Sequence, residues 1–102
     1  AILLPHVVNY NYESAAHKYR QILEIFNTNT ISLNKNKQRK ELVDSLLTFK
    51  NSVGINTTLS SKGVGIDSIN ILASKAIDDP CNATNPKAPK ESDLATIFTE
   101  AL

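Results

Sequence analysis

Hydrophobic residues recur at helical spacing in five segments of this chain, and nowhere do they alternate with period two over a useful length. In residues 1 to about 9, Ile2, Leu3, Leu4, Val7 and Val8 are apolar nearly all round, the pattern of a helix buried inside a larger body. Pro5 fits either the first turn of a helix or the bend of a longer one. Residues 13–26 give the clearest helix. There Ala15, Ala16, Tyr19, Ile22, Leu23 and Phe26 share one face and polar residues occupy the other. Residues 27–34 break the pattern.

A third helix is predicted from about residue 37 to 53, burying Leu42, Val43, Leu46, Phe49 and Val53, with Gly54 as its C-terminal stop. Residues 56–65 read as a loop. A fourth helix follows, capped by Asp67, with Ile69, Leu72, Ala73 and Ala76 turned inward. Three prolines between Asp79 and Lys90 forbid a regular helix or a central strand there, so that stretch should cross the surface or line a cleft. The last helix places Leu94, Ile97, Phe98, Ala101 and Leu102 on one side, with Glu91 and Asp93 at its positive end. The fold class expected is all-α, a bundle of about five helices.

Composition narrows the picture in three ways. With 102 residues, 41% hydrophobic but only 6% aromatic and no Trp, the core must be built mainly from Leu, Ile, Val and Ala, which favours helices over a sandwich. Eleven basic against ten acidic residues leave a net charge of +1, and the one basic run, residues 35–40, reads as a solvated helix face. No nucleic-acid partner is expected from so small a footprint. The single Cys81 excludes an internal disulfide and suits a reducing compartment. With no targeting segment and no long apolar span, a cytoplasmic protein without a membrane partner is expected. Asn-x-Thr triplets at Asn56 and Asn82 are discounted as chance matches in a chain rich in both residues.

Two stretches at opposite ends carry a resemblance. "AILLPHVVNYN" at the start and "DPCNATNPKAPKESDLATIFTEAL" at the close resemble the C-terminal half of the helical domain of iron-containing (group III) alcohol dehydrogenases. In that family a "LLPH" segment follows a helix bearing a His-Gly pair, and a "D-x-C-x-x-x-N-P" loop precedes the final amphipathic helix. Between the two motifs "GINTTLSSKGVGIDSINILASKAIDD" keeps the family's order of turn, acidic residue and helix. The resemblance implies a dehydroquinate-synthase-like enzyme of two domains, a Rossmann-like one for NAD(P) and a helical one for the metal. Residues 1–102 would be the C-terminal part of the helical domain, with the nucleotide domain absent. The metal, iron(II) or zinc, would be held by one Asp and three His and would polarise the alcohol oxygen for hydride transfer.

By the same resemblance His6 is expected as the last of the three His ligands, and Cys81 either as a residue bordering the nicotinamide and substrate pocket or as a small buried residue that fills space behind the loop. His17 has no counterpart in the motif. The other ligands fall outside these residues, and no G-x-G-x-x-G occurs, so the chain by itself is expected to be inactive and to bind no cofactor tightly. Expected partners are a small alcohol or aldehyde, the remainder of the parent chain and a second copy in a homodimer. The identity of the alcohol and the choice between NAD and NADP are left open. A different reading is a small helical interaction module that docks through "AILLPHVV", but it leaves the Pro-His and Cys-x-x-x-Asn-Pro motifs unexplained.

Overall fold

The computed structural model describes residues 1–30 and 32–102, with every side chain among them except that of Thr28. The structure is all-helical, as the spacing predicts. The helices are α1 (Leu4–Asn11), α2 (Ala16–Phe26), α3 (Lys35–Ser52), α4 (Ile69–Ile77) and α5 (Glu91–Glu100), joined by short 3-10 turns. They divide into two compact units: Ala1 with Leu3–Asn56, and Ile2 with Thr57–Leu102. Among the described residues no helix is long and apolar enough to cross a membrane.

In the first unit α1 and α2 both pack against α3. Pro5 lies in the first turn of α1, where the N–H it lacks would have had no helical partner, so it starts the helix and does not bend it. Val8 and Tyr12, one turn apart, meet Leu23 of α2 and Leu42 and Leu46 of α3 in the core, flanked by Ala16 and Tyr19. Full burial of each Leu contributes roughly 1.5–3 kcal/mol. The Asn34 side chain caps α3 by accepting from the Lys37 N–H at 3.0 Å. Its other end closes as expected: Gly54 turns left-handed (φ +80°), letting Ile55 N–H donate to the Lys50 carbonyl and Gly54 N–H to that of Asn51.

In the second unit α4 packs on α5. Ile69 and Ala73 on one helix and Ile97 and Ala101 on the other are buried, so each contributes a large and a small residue one turn apart. The Leu59 N–H donates to the Ala101 carbonyl at 2.9 Å and ties the loop before α4 to the end of α5.

Several expectations need correction. α2 begins at Ala16, because Tyr12–Ser14 form a 3-10 turn and Ala15, at φ −137° and ψ 29°, breaks the helical path. Asp67 does not cap α4. It sits inside a 3-10 turn over Ile66–Ser68, and the cap position falls to Ser68, whose side chain makes no capping bond. Pro80–Thr84 also form a 3-10 turn, with the proline in its opening positions where it is tolerated. Ile22, Phe26, Phe49 and Val53 are exposed, at 40, 42, 53 and 55%. The break predicted over 27–34 is present as a 3-10 turn at Thr28–Thr30 and a bend before α3, while Ile31 lies outside the described residues.

Candidate functional site

The two residues singled out by the motifs fall in different units, His6 in the first and Cys81 in the second. His6 follows Pro5 on α1 and is half-buried. At 100° per residue it stands well round the helix from Val8 and Tyr12, on a face turned away from the unit's core. His17 is exposed on α2. Among the described residues no three His, Cys, Asp or Glu side chains come close enough together to hold a metal ion. The described side chains therefore bring together no set of three ligands, the number such a site needs at least.

Cys81 is exposed within the 3-10 turn that follows α4. The Asp79 carboxylate accepts from the Cys81 N–H at 2.8 Å. That bond holds the Asp79 carboxyl below its usual range, and the same carboxylate, accepting from the thiol and repelling a thiolate, pushes the Cys81 thiol up. Both effects disfavour the Cys81 thiolate, the nucleophilic form.

The backbone of this loop is held by side chains on either side of the cysteine. Asn82 Nδ2 donates to the carbonyls of Ala76, at 2.7 Å, and Ile77, at 3.1 Å, at the end of α4. Thr84 Oγ1 donates to the Cys81 carbonyl at 3.2 Å, and Asn85 Nδ2 to that of Lys87. Asp79 and Asn85 are the Asp and Asn of the D-x-C-x-x-x-N-P motif, whereas the part played by Asn82 emerges only from the geometry. A run of Asp and Asn immediately after a helix was the available signal, because these side chains bond nearby backbone.

Neither candidate lines either of two surface grooves. Between α2 and α3 a groove of about 440 Å³ is lined by Phe26, Glu41, Asp44, Ser45, Thr48, Phe49 and Ser52. One of about 400 Å³ beside α4 and α5 is lined by Ile66, Ile69, Asn70, Ala95, Thr96, Thr99 and Glu100.

Comparison with known proteins gives a consistent result over the whole chain. Residues 1–102 match the model of the Fe-containing alcohol dehydrogenase family, C-terminal. The chain is 32% identical over 101 residues to lactaldehyde reductase of Escherichia coli K12, covering 99% of this chain and 26% of the relative. It is 26% identical over 102 residues to NAD-dependent methanol dehydrogenase of Bacillus methanolicus, covering all of this chain and 27% of that one. Among solved structures, a crystal structure of 1,3-propanediol oxidoreductase superposes with a TM-score of 0.91 at 27% identity, over 99% of this chain and 26% of the other. The chain spans about a quarter of the length of the curated relatives it matches.

Proposed function

The chain belongs to the iron-containing alcohol dehydrogenase family, matching its C-terminal part over all 102 residues, and on that premise we propose that it works as the C-terminal helical portion of an oxidoreductase that interconverts a small alcohol and an aldehyde. The observation that carries the reading is the agreement of sequence and structure along the same residues: 27% identity and a TM-score of 0.91 to a 1,3-propanediol oxidoreductase. The relatives act on lactaldehyde, methanol or 1,3-propanediol by name, so the substrate class is a short alcohol or its aldehyde. NAD(P) would be held by a Rossmann-like domain outside these residues.

A divalent metal, iron or zinc, belongs to the reading, but the described residues do not form its site. A coordinating role for His6 rests on the "LLPH" motif alone, with the remaining donors supplied from outside this chain. The reaction's metal-assisted step is accordingly not assigned to any residue here. What these residues contribute is a scaffold: α4 and α5 flank the Cys81 loop, where the Asp79 carboxylate disfavours the thiolate.

The test is an NAD- and NADP-linked assay of the intact protein, loaded with iron or zinc, against ethanol, butanol, 1,2- and 1,3-propanediol and lactaldehyde. Turnover of at least one pair is expected. A folded, metal-loaded protein that turns over none of them with either cofactor would sink the reading.

A further inference from the structure

We propose that Asn82 is the positioning residue of the Cys81 loop, a clamp that fixes the loop to the C-terminal end of α4 through two hydrogen bonds from one amide nitrogen. A helix leaves its last four carbonyls without helical partners. In α4 the carbonyls of Ala76 and Ile77 are two of these, and Asn82 Nδ2 reaches both, at 2.7 and 3.1 Å. The half-buried amide arrives from five and six residues downstream, so it closes the loop back on the helix with Cys81 held directly before it. Backbone bonds complete the closure, from Asp79 N–H to the Ala76 carbonyl and from Asn82 N–H to the Asp79 carbonyl.

The chemistry of the donor matters. The C-terminal end of a helix carries partial negative charge, which favours an N–H donor and disfavours a carboxylate. Asn82→Asp would therefore keep the shape of the side chain and set its charge against two carbonyl oxygens. The Asn82-Ala83-Thr84 triplet acquires a structural meaning as well: the nitrogen that would carry a glycan is the one committed to α4.

The clamp stands on the geometry of the second unit alone. That it serves the edge of a nicotinamide pocket rests on the functional reading above, and the two are tested separately.

In the intact protein, the rate of Cys81 alkylation by iodoacetamide is followed against pH by mass spectrometry of the Cys81 peptide, for wild type, Asn82→Ala and Asn82→Asp. Releasing the loop from α4 loosens the turn in which the Asp79 carboxylate accepts from the Cys81 N–H two residues on. Alkylation at pH 8 is then expected to rise about 3- to 10-fold in Asn82→Ala, with the inflection displaced to lower pH, while in Asn82→Asp the new carboxylate beside the thiol works against that displacement. A simple loss of helix stability would not move that inflection. An unchanged profile in folded Asn82→Ala overturns the clamp. Should both variants fail to fold, the wild-type side-chain amide decides by NMR: slow exchange of the Asn82 Nδ2 protons supports the clamp, and exchange at the free-amide rate overturns it.

Where the wild type oxidises an alcohol, Asn82→Ala is expected to raise the KM for the nicotinamide cofactor several-fold while kcat changes less. An unchanged KM alongside a shifted alkylation profile would overturn the positioning role. A wild type inactive on every alcohol would sink the functional reading and leave the clamp standing.

Discussion

Tyr12 and Tyr19 lie face to face in the first unit, with ring centroids 5.8 Å apart and planes within 12° of parallel. Tyr12 is wholly buried, yet its hydroxyl finds no hydrogen-bond partner among the described residues. The ring stabilises the core, while the hydroxyl carries a desolvation penalty of about 1–3 kcal/mol. Tyr12→Phe keeps the stack and removes the penalty, so it should leave stability unchanged or raise it. Tyr12→Ala should cost about 3–5 kcal/mol. Urea denaturation of the two variants reads the contrast.

The same phenol sets an alkaline limit. Burial, with a smaller contribution from the Glu13 carboxylate, raises the Tyr12 pKa above its ordinary value of 10.0. As pH climbs through that value the unfolded chain loses the proton first, so unfolding is favoured. The contribution is fully present below the ordinary value and is lost as pH rises toward the raised one. Wild type should therefore lose stability above about pH 10, and Tyr12→Phe should lose less over the same range, as measured by the pH dependence of Tm.

Gly63 and Gly65 predict opposite signs for one substitution. A Cβ added at either would meet nothing within 4 Å, so space does not distinguish them. Conformation does: Gly63 has φ +85°, whereas Gly65 is extended at φ −95°. The left-handed turn at Gly63 lets Val64 N–H donate to the Leu59 carbonyl and Gly63 N–H to that of Ser60. Gly63→Ala should cost about 1–2 kcal/mol, while Gly65→Ala should be neutral or gain up to about 1 kcal/mol by restricting the unfolded chain. Equal effects in thermal unfolding would contradict the backbone assignment.

The five helices were legible because an apolar stripe at i, i+3 and i+4 survives whatever packs on it. Which members of a stripe are buried was not. Ile22 and Phe26 share a face with Tyr19 and Leu23, and periodicity treats all four alike. The core of the first unit reaches Leu23, which is fully buried, and leaves Phe26 at 42% exposure. Tyr12 was missed for the converse reason: it continues the stripe of Pro5 and Val8 beyond the polar run at 9–11, and aromatic position alone does not mark a centre. At the candidate site the motifs located Cys81 and Asn85. The Asn82 contacts depend on how a 3-10 turn folds back on α4, a geometry with no fixed sequence spacing, whereas the Asp79 bond to the N–H two residues on is a local turn of the kind Asp favours.

Charge at Asp79 should govern the reactivity of Cys81. The carboxylate both accepts from the Cys81 N–H and holds the thiol above its ordinary pKa. Asp79→Asn keeps an acceptor oxygen for the backbone bond and removes the charge. The thiol should then titrate at lower pH, and iodoacetamide labelling at pH 8 should accelerate several-fold without loss of the turn. A labelling rate unchanged from wild type would mean that the carboxylate does not act on the sulfur.

Metal binding gives the sharpest division between what this chain does and what its parent would do. With no cluster of three donors among the described residues, the isolated 102-residue chain is expected to take up neither zinc nor iron at nanomolar concentration. Under the proposed function the expectation reverses in the full-length enzyme: one metal per site is expected, and His6→Ala is expected to lower its affinity by more than the roughly 10- to 100-fold that loss of an outer-shell partner costs. His17, exposed on α2, supplies the control, since His17→Ala should leave metal content unchanged. Metal analysis after dialysis against a weak chelator separates these cases. Full retention in His6→Ala would remove that imidazole from the coordination sphere and leave the family assignment, which rests on the match along the whole chain, intact.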